Sequence, residues 1–370
     1  MEKLKILFVG AFPAPGKKIF GGILSSCQAL MNSSFPDRFD VVAIDSTQKS
    51  NPPPNFFIRL FHGVKRTLKF ARVSLLERPD VILVFPALGA SLVEKGLMCW
   101  FAKALNIPSI ISPRGGALLD QVNDSPLQRF WIKLAFGGAS KVLCQGPAWQ
   151  RFATEVLEFD KQDAPIVFNW TASRELLDIG RKKLCEPYQG TVRLLFLGWV
   201  DEEKGVLDLM HVLSDLGPTH DFYLTIAGKG NAEVGAKNIV CESSLSNRVT
   251  FAGWVQGADL HDLMVGSDVL ILPSWAEGLP NAMVESMAAG LAVGVSAVGN
   301  IPDVIEDGKE GLLFPARDRE RLKMVITRMI DDRKLRLDLA KNAHQFAEEN
   351  FSVEPAVLKI QQMVTSLVDK

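Results

Sequence analysis

The stretch Ser274-Trp275-Ala276-Glu277-Gly278-Leu279-Pro280-Asn281-Ala282-Met283-Val284-Glu285 sets two carboxylates eight positions apart, directly after the apolar run Val269–Leu272. Pro280 suits the first turn of a helix and Gly278 a tight backbone approach, so Glu277 is expected just outside a helix that contains Glu285. From Pro280 to Glu285 such a helix rises about 7.5 Å, which lets the two carboxylates touch different parts of one extended ligand. The free N–H groups of Gly278–Asn281 would face an anion at the helix N-terminus. Hydroxyl-rich ends and a doubly anionic middle describe a nucleotide sugar. Taken alone, the same residues also describe an ordinary helix whose acidic groups complement its dipole.

Neighbouring motifs favour the ligand. Leu197-Gly198-Trp199-Val200-Asp201-Glu202-Glu203-Lys204-Gly205 offers a lysine just before another helix, where it can neutralise a departing diphosphate. Without a metal, positive charge must come from side chains and helix ends, and preorganised charge is commonly the largest catalytic contribution. By itself Lys204 reads equally as a solvated surface lysine. Ala227-Gly228-Lys229-Gly230 and Phe251-Ala252-Gly253-Trp254-Val255 add glycine-permitted approach beside apolar surface suited to a flat base. The five cysteines are scattered, odd in number and never spaced as C-x-x-C, which argues against a disulfide framework or a zinc site.

These motifs follow short apolar, β-branched runs separated by helix-length spacers: Leu4–Val9, Val41–Ile44, Val81–Phe85, Ser109–Ile111, Lys141–Cys144 and Ile166–Phe168. After a polar stretch at Gly180–Gly190 the rhythm restarts with Val192–Leu197, Phe222–Ala227, Val249–Phe251, Val269–Leu272, Ala292–Val295 and Gly311–Phe314. This is βα alternation in two parallel, doubly wound sheets, and 370 residues exceed what one core usually supports. Two such domains facing one another would make a cleft with a donor wall and an acceptor wall. The expected division is residues 1–178, a linker at 179–190, a second domain at 191–350 and a terminal segment at 351–370. Ser352–Asp369 reads as a helix capped by Ser352, with apolar positions at Val357, Ile360, Met363 and Leu367.

Gly198…Glu203-Lys204-Gly205, Phe251-x-Gly253, Pro273-Ser274…Glu277-Gly278-Leu279-Pro280-Asn281…Glu285, Ala289-Gly290, Gly299-Asn300-Ile301-Pro302-Asp303 and Gly308…Gly311-Leu312-Leu313-Phe314, in this order, resemble family 4 of the glycosyltransferases. The match is specific over 192–316 and looser before it, where Phe20-Gly21-Gly22-Ile23 and Ile111-Ser112-Pro113-Arg114-Gly115-Gly116 resemble that family's N-domain loops. The resemblance implies a GT-B fold, an α/β architecture of two Rossmann-like domains whose C-terminal helix crosses back to the first. It also implies transfer with retention from a nucleotide sugar, with no metal or other cofactor. Glu277 then resembles the glutamate that binds donor-sugar hydroxyls, Glu285 the one that binds ribose, and Lys204 the diphosphate lysine. Gly21, Gly22, Val255, Ser274, Gly278, Leu279, Pro280 and Asn281 complete the expected donor site.

Two positions depart from the family. Trp199 stands where many members carry a phosphate-binding arginine, and Lys229 is the candidate to supply that cation. Many members also place a histidine where this chain reads Ser112-Pro113-Arg114-Gly115. Arg114 either binds acceptor or donor oxygen there or is a structural arginine in a turn.

The charge is divided: Lys and Arg exceed Asp and Glu by seven in residues 1–175 and fall short by eight in 176–370. Within the basic half, 56–78 interleaves Phe56, Phe57, Leu60, Phe61, Val64, Leu68 and Val73 with Arg59, Lys65, Arg66, Lys69 and Arg72. Such a helix either lies on an anionic membrane, suiting a lipid-linked acceptor, or packs on the sheet with a solvated basic back. Nucleic acid is disfavoured, because no recognisable module accompanies the cations and total charge is near zero. The opening apolar run is too short for a signal or membrane span, so a cytoplasmic protein, peripheral to the membrane on that face, is expected. The function expected is hexose transfer from a nucleotide sugar, UDP favoured as the resemblance implies and GDP second, to a glycan or lipid-linked acceptor of a surface polysaccharide. The alternatives are a nucleotide-sugar epimerase on the same scaffold and a non-catalytic subunit that kept the fold.

Overall fold

The computed structural model describes residues 3–13, 22–47, 55–87, 89–113, 118, 126–243 and 245–369. The chain divides into two compact units, Met1–Trp170 with Val353–Lys370, and Thr171–Ser352.

In the first unit, β1 (Lys5–Gly10), β2 (Asp40–Asp45), β3 (Val81–Val84), β4 (Ser109–Ile111) and β5 (Lys141–Val142) form a parallel sheet in the order β2-β1-β3-β4-β5. The central strands β1 and β3 are apolar on both faces because both are covered, whereas the edge strand β2 is largely exposed or half-buried. Alternation sorts the side chains: Leu7, Val9, Ile82, Val84 and Ile111 join one core cluster, while Ile6, Phe8, Val81, Leu83 and Ile110 join another. The first cluster is closed by the helices Phe56–Glu77, Ala90–Ala104 and Pro126–Phe136 through Phe70, Met98, Cys99, Ile132 and Phe136. The second is closed by Gly22–Met31 and the terminal helix Val353–Val368. Of the twelve expected strands, Ile166–Phe168 is reduced to a single bridge between Cys144 and Ile166. Pro165 has no N–H to extend that ladder, and its partner strand is only two residues long.

The terminal helix belongs to the first unit, burying Val357, Ile360 and Met363 against its core, with Leu367 packed alongside. Arg38 Nη1 donates to Gln361 Oε1 at 2.7 Å, and the Ser34 N–H donates to Glu354 Oε1 at 3.0 Å. Ser352, expected as this helix's cap, instead donates its hydroxyl to the Glu348 carbonyl at 2.6 Å and so closes the helix before it.

The second unit holds β6 (Val192–Leu197), β7 (Phe222–Ala227), β8 (Val249–Gly253), β9 (Val269–Leu272), β10 (Ala292–Ser296) and β11 (Leu312–Phe314). They form a parallel sheet in the order β11-β10-β9-β6-β7-β8. The stretch expected as a linker, 179–190, is largely helical: Arg174–Cys185 is capped by the Ser173 side chain, which accepts from the Leu176 N–H, and it buries Leu176, Leu177 and Gly180. Gly180 lies against the Ala288 carbonyl and the His344 ring, so this helix packs within the second unit, and the change of unit falls at Trp170–Thr171 rather than at 178.

Candidate active site

From β6 the chain winds outward through β7 and β8, then returns to lay β9 on the other side of β6, with Leu194 opposite Val269 and Leu195 opposite Leu270. Loops leaving the carboxyl ends of the two strands that flank such a reversal diverge and leave a crevice, the usual place for a ligand in a doubly wound sheet. Lys204 stands on the loop after β6 and Glu277 on the loop after β9.

Their side chains meet, with Lys204 Nζ 2.6 Å from Glu277 Oε1. Both are partly buried, the glutamate at 13% side-chain exposure, so water screens the pair less than it would at the surface. Lys204 ends the 3-10 turn Glu202–Lys204, which the left-handed Gly205 (φ 68°) converts into the helix Val206–Leu216. A Cβ at Gly205 would run into the Pro273 carbonyl, so a residue without one lets the two loops touch. The Trp275 N–H donates to the Glu203 carbonyl at 2.8 Å and stitches them together.

The Glu277 loop is held from two further sides. Asn300 N–H, beyond β10, donates to the Gly278 carbonyl at 2.9 Å. Trp275 Nε1 donates to Asp208 Oδ2 at 3.2 Å, Arg319 Nε donates to Asp208 Oδ1 at 2.6 Å, and the Arg317 guanidinium lies 4.1 Å from the centre of the Trp275 ring. This brace was not legible in the sequence, because Asp208 and Arg319 carry no local signal of a partner in the loop. Beside it, Ser274 Oγ and both amide atoms of Asn300 are buried without a hydrogen-bond partner among the described residues. Each such group costs about 1–3 kcal/mol, so packing stability alone does not account for these residue types.

Pro280, expected within the first helical turn, is instead the cap residue (φ −71°, ψ 125°), and the helix runs Asn281–Ala288. Glu277 therefore lies outside this helix and Glu285 inside it. Glu285 is buried, and loss of hydration pushes its carboxyl up to about 8. Gly278, Leu279 and Pro280 are buried and Asn281 half-buried at the entry to this helix. The Leu279 side chain points into protein, so what it can offer a ligand is backbone.

Trp199 follows β6 and Trp254 follows β8, and their rings meet edge to face, centroids 4.6 Å apart at 81°. Lys229, after β7, is exposed; its carbonyl accepts from the Val200 N–H at 3.1 Å and its side chain runs past Gly253. Val255 is half-buried just beyond β8. Gly22 opens the helix Gly22–Met31 of the first unit, whereas Gly21 and Arg114 lie outside the described residues. Among the described residues no three His, Cys, Asp or Glu side chains are grouped as metal ligands, and no helix is long and apolar enough to cross a membrane.

Residues 186–346 match the family model described as glycosyl transferases group 1. The second unit thus carries the glycosyl transferases group 1 domain, the type of family 4 of the glycosyltransferases. The chain is a glycosyltransferase of the retaining class with the GT-B fold. The lipopolysaccharide core biosynthesis glycosyltransferase LpsE of Rhizobium meliloti is 25% identical over 301 residues, 81% of this chain and 79% of that protein. An uncharacterised glycosyltransferase of Methanocaldococcus jannaschii is 27% identical over 241 residues, 64% of this chain and 61% of that protein. Sucrose-phosphate synthase of Thermosynechococcus elongatus shares the fold with a TM-score of 0.76 at 18% identity, covering 99% of both chains. Anabaena HepE, solved in complex with UDP, does so with a TM-score of 0.70 at 17% identity, covering 98% of this chain and 100% of that one.

Proposed function

We propose that this glycosyltransferase moves a hexose from a UDP-sugar to a glycan or lipid-linked acceptor in the assembly of a surface polysaccharide, at the cytoplasmic face of the membrane and without a metal. The observation that carries the donor reading is the Lys204–Glu277 contact at 2.6 Å between the two loops that flank the reversal in strand order. A nucleotide sugar satisfies both members at once: diphosphate oxygens take the ammonium, and sugar hydroxyls donate to the carboxylate. UDP is preferred to GDP because HepE, of the same fold, was solved with UDP; the acceptor class follows LpsE and its role in lipopolysaccharide core biosynthesis.

In the transfer step the bond from the anomeric carbon to the β-phosphate oxygen breaks, and the acceptor oxygen bonds to the same face of that carbon. The acceptor's proton passes to the departing phosphate oxygen, so no protein nucleophile is needed. Lys204 stabilises charge that grows on the diphosphate only as the bond breaks, which lowers the barrier rather than merely tightening binding. Glu277 fixes the sugar, Glu285 takes the ribose, and Lys229 adds a second cation. Val255, Ser274 and the backbone of 278–281 line the rest of the donor, while the assignment of Gly21 and Gly22 to the donor and of Arg114 to an acceptor or donor oxygen rests on the family resemblance alone.

The test is binding and slow hydrolysis of UDP-, GDP- and ADP-hexoses in EDTA, for the native protein, Lys204→Ala and Glu277→Ala. UDP-hexose is expected to be hydrolysed with retention, and each substitution to lower turnover on the order of 100- to 1000-fold. Failure of every donor to bind would replace this reading with that of a non-catalytic subunit. A sugar epimerised with no acceptor present would replace it with the epimerase.

A further inference from the structure

The three helices that cover one face of the first sheet lie side by side. Arg66, in the middle of Phe56–Glu77, donates its Nε to Glu94 Oε1 of Ala90–Ala104 at 2.6 Å. Trp100 Nε1 of the second helix donates to the Leu134 carbonyl of Pro126–Phe136 at 2.8 Å, and Gly96 lets the same two helices approach backbone to backbone at Ala135. Toward the sheet these helices bury Phe70, Met98 and Phe136, as any crossover helix must. Their outer faces are apolar as well.

On the first helix, Phe61, Val64, Leu68 and Leu75 fall within about 60° of one another at 100° per residue, and Leu68 is 67% exposed. Val93, Leu97 and Trp100 form the corresponding stripe on the second, with Leu97 at 60% exposure. Leu127, Phe130, Trp131 and Leu134 form that of the third, with Trp131 at 56%. An apolar face shared by three neighbouring helices costs a protein solubility unless something covers it.

The charges around it say what. Lys65, Lys69 and Arg72, all exposed, run along one flank of the first stripe. The three helices carry nine Lys and Arg against two Glu, and Glu94 is already engaged by Arg66 and Lys95. Two copies of so basic a face would repel each other. Apolar and aromatic stripes flanked by lysines match a bilayer interface, where rings sit at headgroup depth and long cationic stems reach the phosphates.

We propose that the outer faces of Phe56–Glu77, Ala90–Ala104 and Pro126–Phe136 together form a docking surface for an anionic lipid bilayer. This extends the expectation placed on 56–78 alone to a layer of three helices, and it stands independently of the donor chemistry. Phe56–Glu77 does pack on the sheet, through Phe70 and its neighbours, but it leaves an apolar stripe and a basic flank outward rather than a basic back alone.

The full chain is floated with vesicles of phosphatidylcholine alone and with vesicles containing roughly 30 mol% phosphatidylglycerol, at low salt and at about 0.5 M salt. It is expected to float only with the anionic vesicles and only at low salt. Phe61→Ser/Leu97→Ser/Trp131→Ser and, separately, Lys65→Glu/Lys69→Glu are each expected to lower partitioning at least about tenfold. All five positions are outside the core, and an unchanged thermal midpoint and circular dichroism spectrum confirm that both variants fold. No donor is present, so failure of the transfer reading leaves this result untouched. Absence of flotation, or flotation unaffected by the triple variant, overturns the proposal. So does a native dimer that the triple variant converts to monomer without vesicle binding, since the face would then be a protein interface.

Discussion

Glu285→Gln separates burial from function at the most perturbed carboxyl of the second unit's site. In the folded chain Glu285 keeps its proton up to about 8, against 4.5 for the ordinary side chain. Between those values the native state holds a proton that the unfolded state has released, so stability falls as pH rises, by about 1.4 kcal/mol per unit. From pH 5 to pH 7.5 the cost is on the order of 3 kcal/mol. Glutamine has the shape of the protonated acid and does not titrate. The variant should therefore match the native protein near pH 4.5 and exceed it by that amount at pH 7.5. For a unit the size of Thr171–Ser352 this amounts to roughly 6–12 °C in the melting transition. Scanning fluorimetry of both proteins at half-unit steps from pH 5 to pH 8 reads the gap directly. A gap that is flat with pH, or that widens toward acid, refutes the reasoning. If ribose hydroxyls bind the ionised carboxylate, UDP binding also releases a proton, and native affinity should rise toward pH 8 while that of the glutamine variant does not.

Trp275→Phe keeps a ring under Arg317 but removes the hydrogen bond to Asp208; about 1 kcal/mol of stability should be lost, and kcat should fall more than KM rises because the Glu277 loop is no longer fixed. Unchanged kcat would show that the brace is structural only. Gly299→Ala should be far worse for turnover than Gly308→Ala, measured side by side. Both residues have positive φ (59° and 83°) and pay roughly 1–2 kcal/mol for a Cβ, but only at Gly299 does that Cβ collide with the Glu277 carbonyl. Equal losses would mean that strain, not displacement of Glu277, governs activity.

The strands were legible because each is a short apolar run between polar loops, and a parallel sheet buried on both faces demands such runs. Their order was less accessible: nothing local to Val192–Leu197 or Val269–Leu272 announces that they pair, and it is this pairing that brings Lys204 to Glu277. The resemblance placed both residues in one site without supplying the contact. Gly180–Gly190 read as a linker because it is polar, yet its first half is helical; Ser173 caps that helix and Leu176, Leu177 and Gly180 give it one buried edge. The outer apolar stripes on the second and third crossover helices went unread for the opposite reason. In sequence they are indistinguishable from core-facing positions, and only packing reveals that Leu97 and Trp131 face outward.

The departure at Trp199 takes on a physical meaning once its neighbour is known. An arginine there would bring a permanent cation to the loop after β6. Trp199 brings instead a ring that closes on Trp254 across the ends of β6 and β8, and an aromatic pair in edge-to-face contact holds both loops at little entropic cost. Lys229 rises between those loops, tied to the first by its own backbone and lying over Gly253 at the root of the second. Rigidity and charge, which one arginine could combine, are here divided between a tryptophan pair and a lysine. A lysine is a flexible point charge without the forked geometry that grips two phosphate oxygens together, so on the donor reading proposed above the orientation of a diphosphate would fall to the backbone around Lys229 and to Lys204.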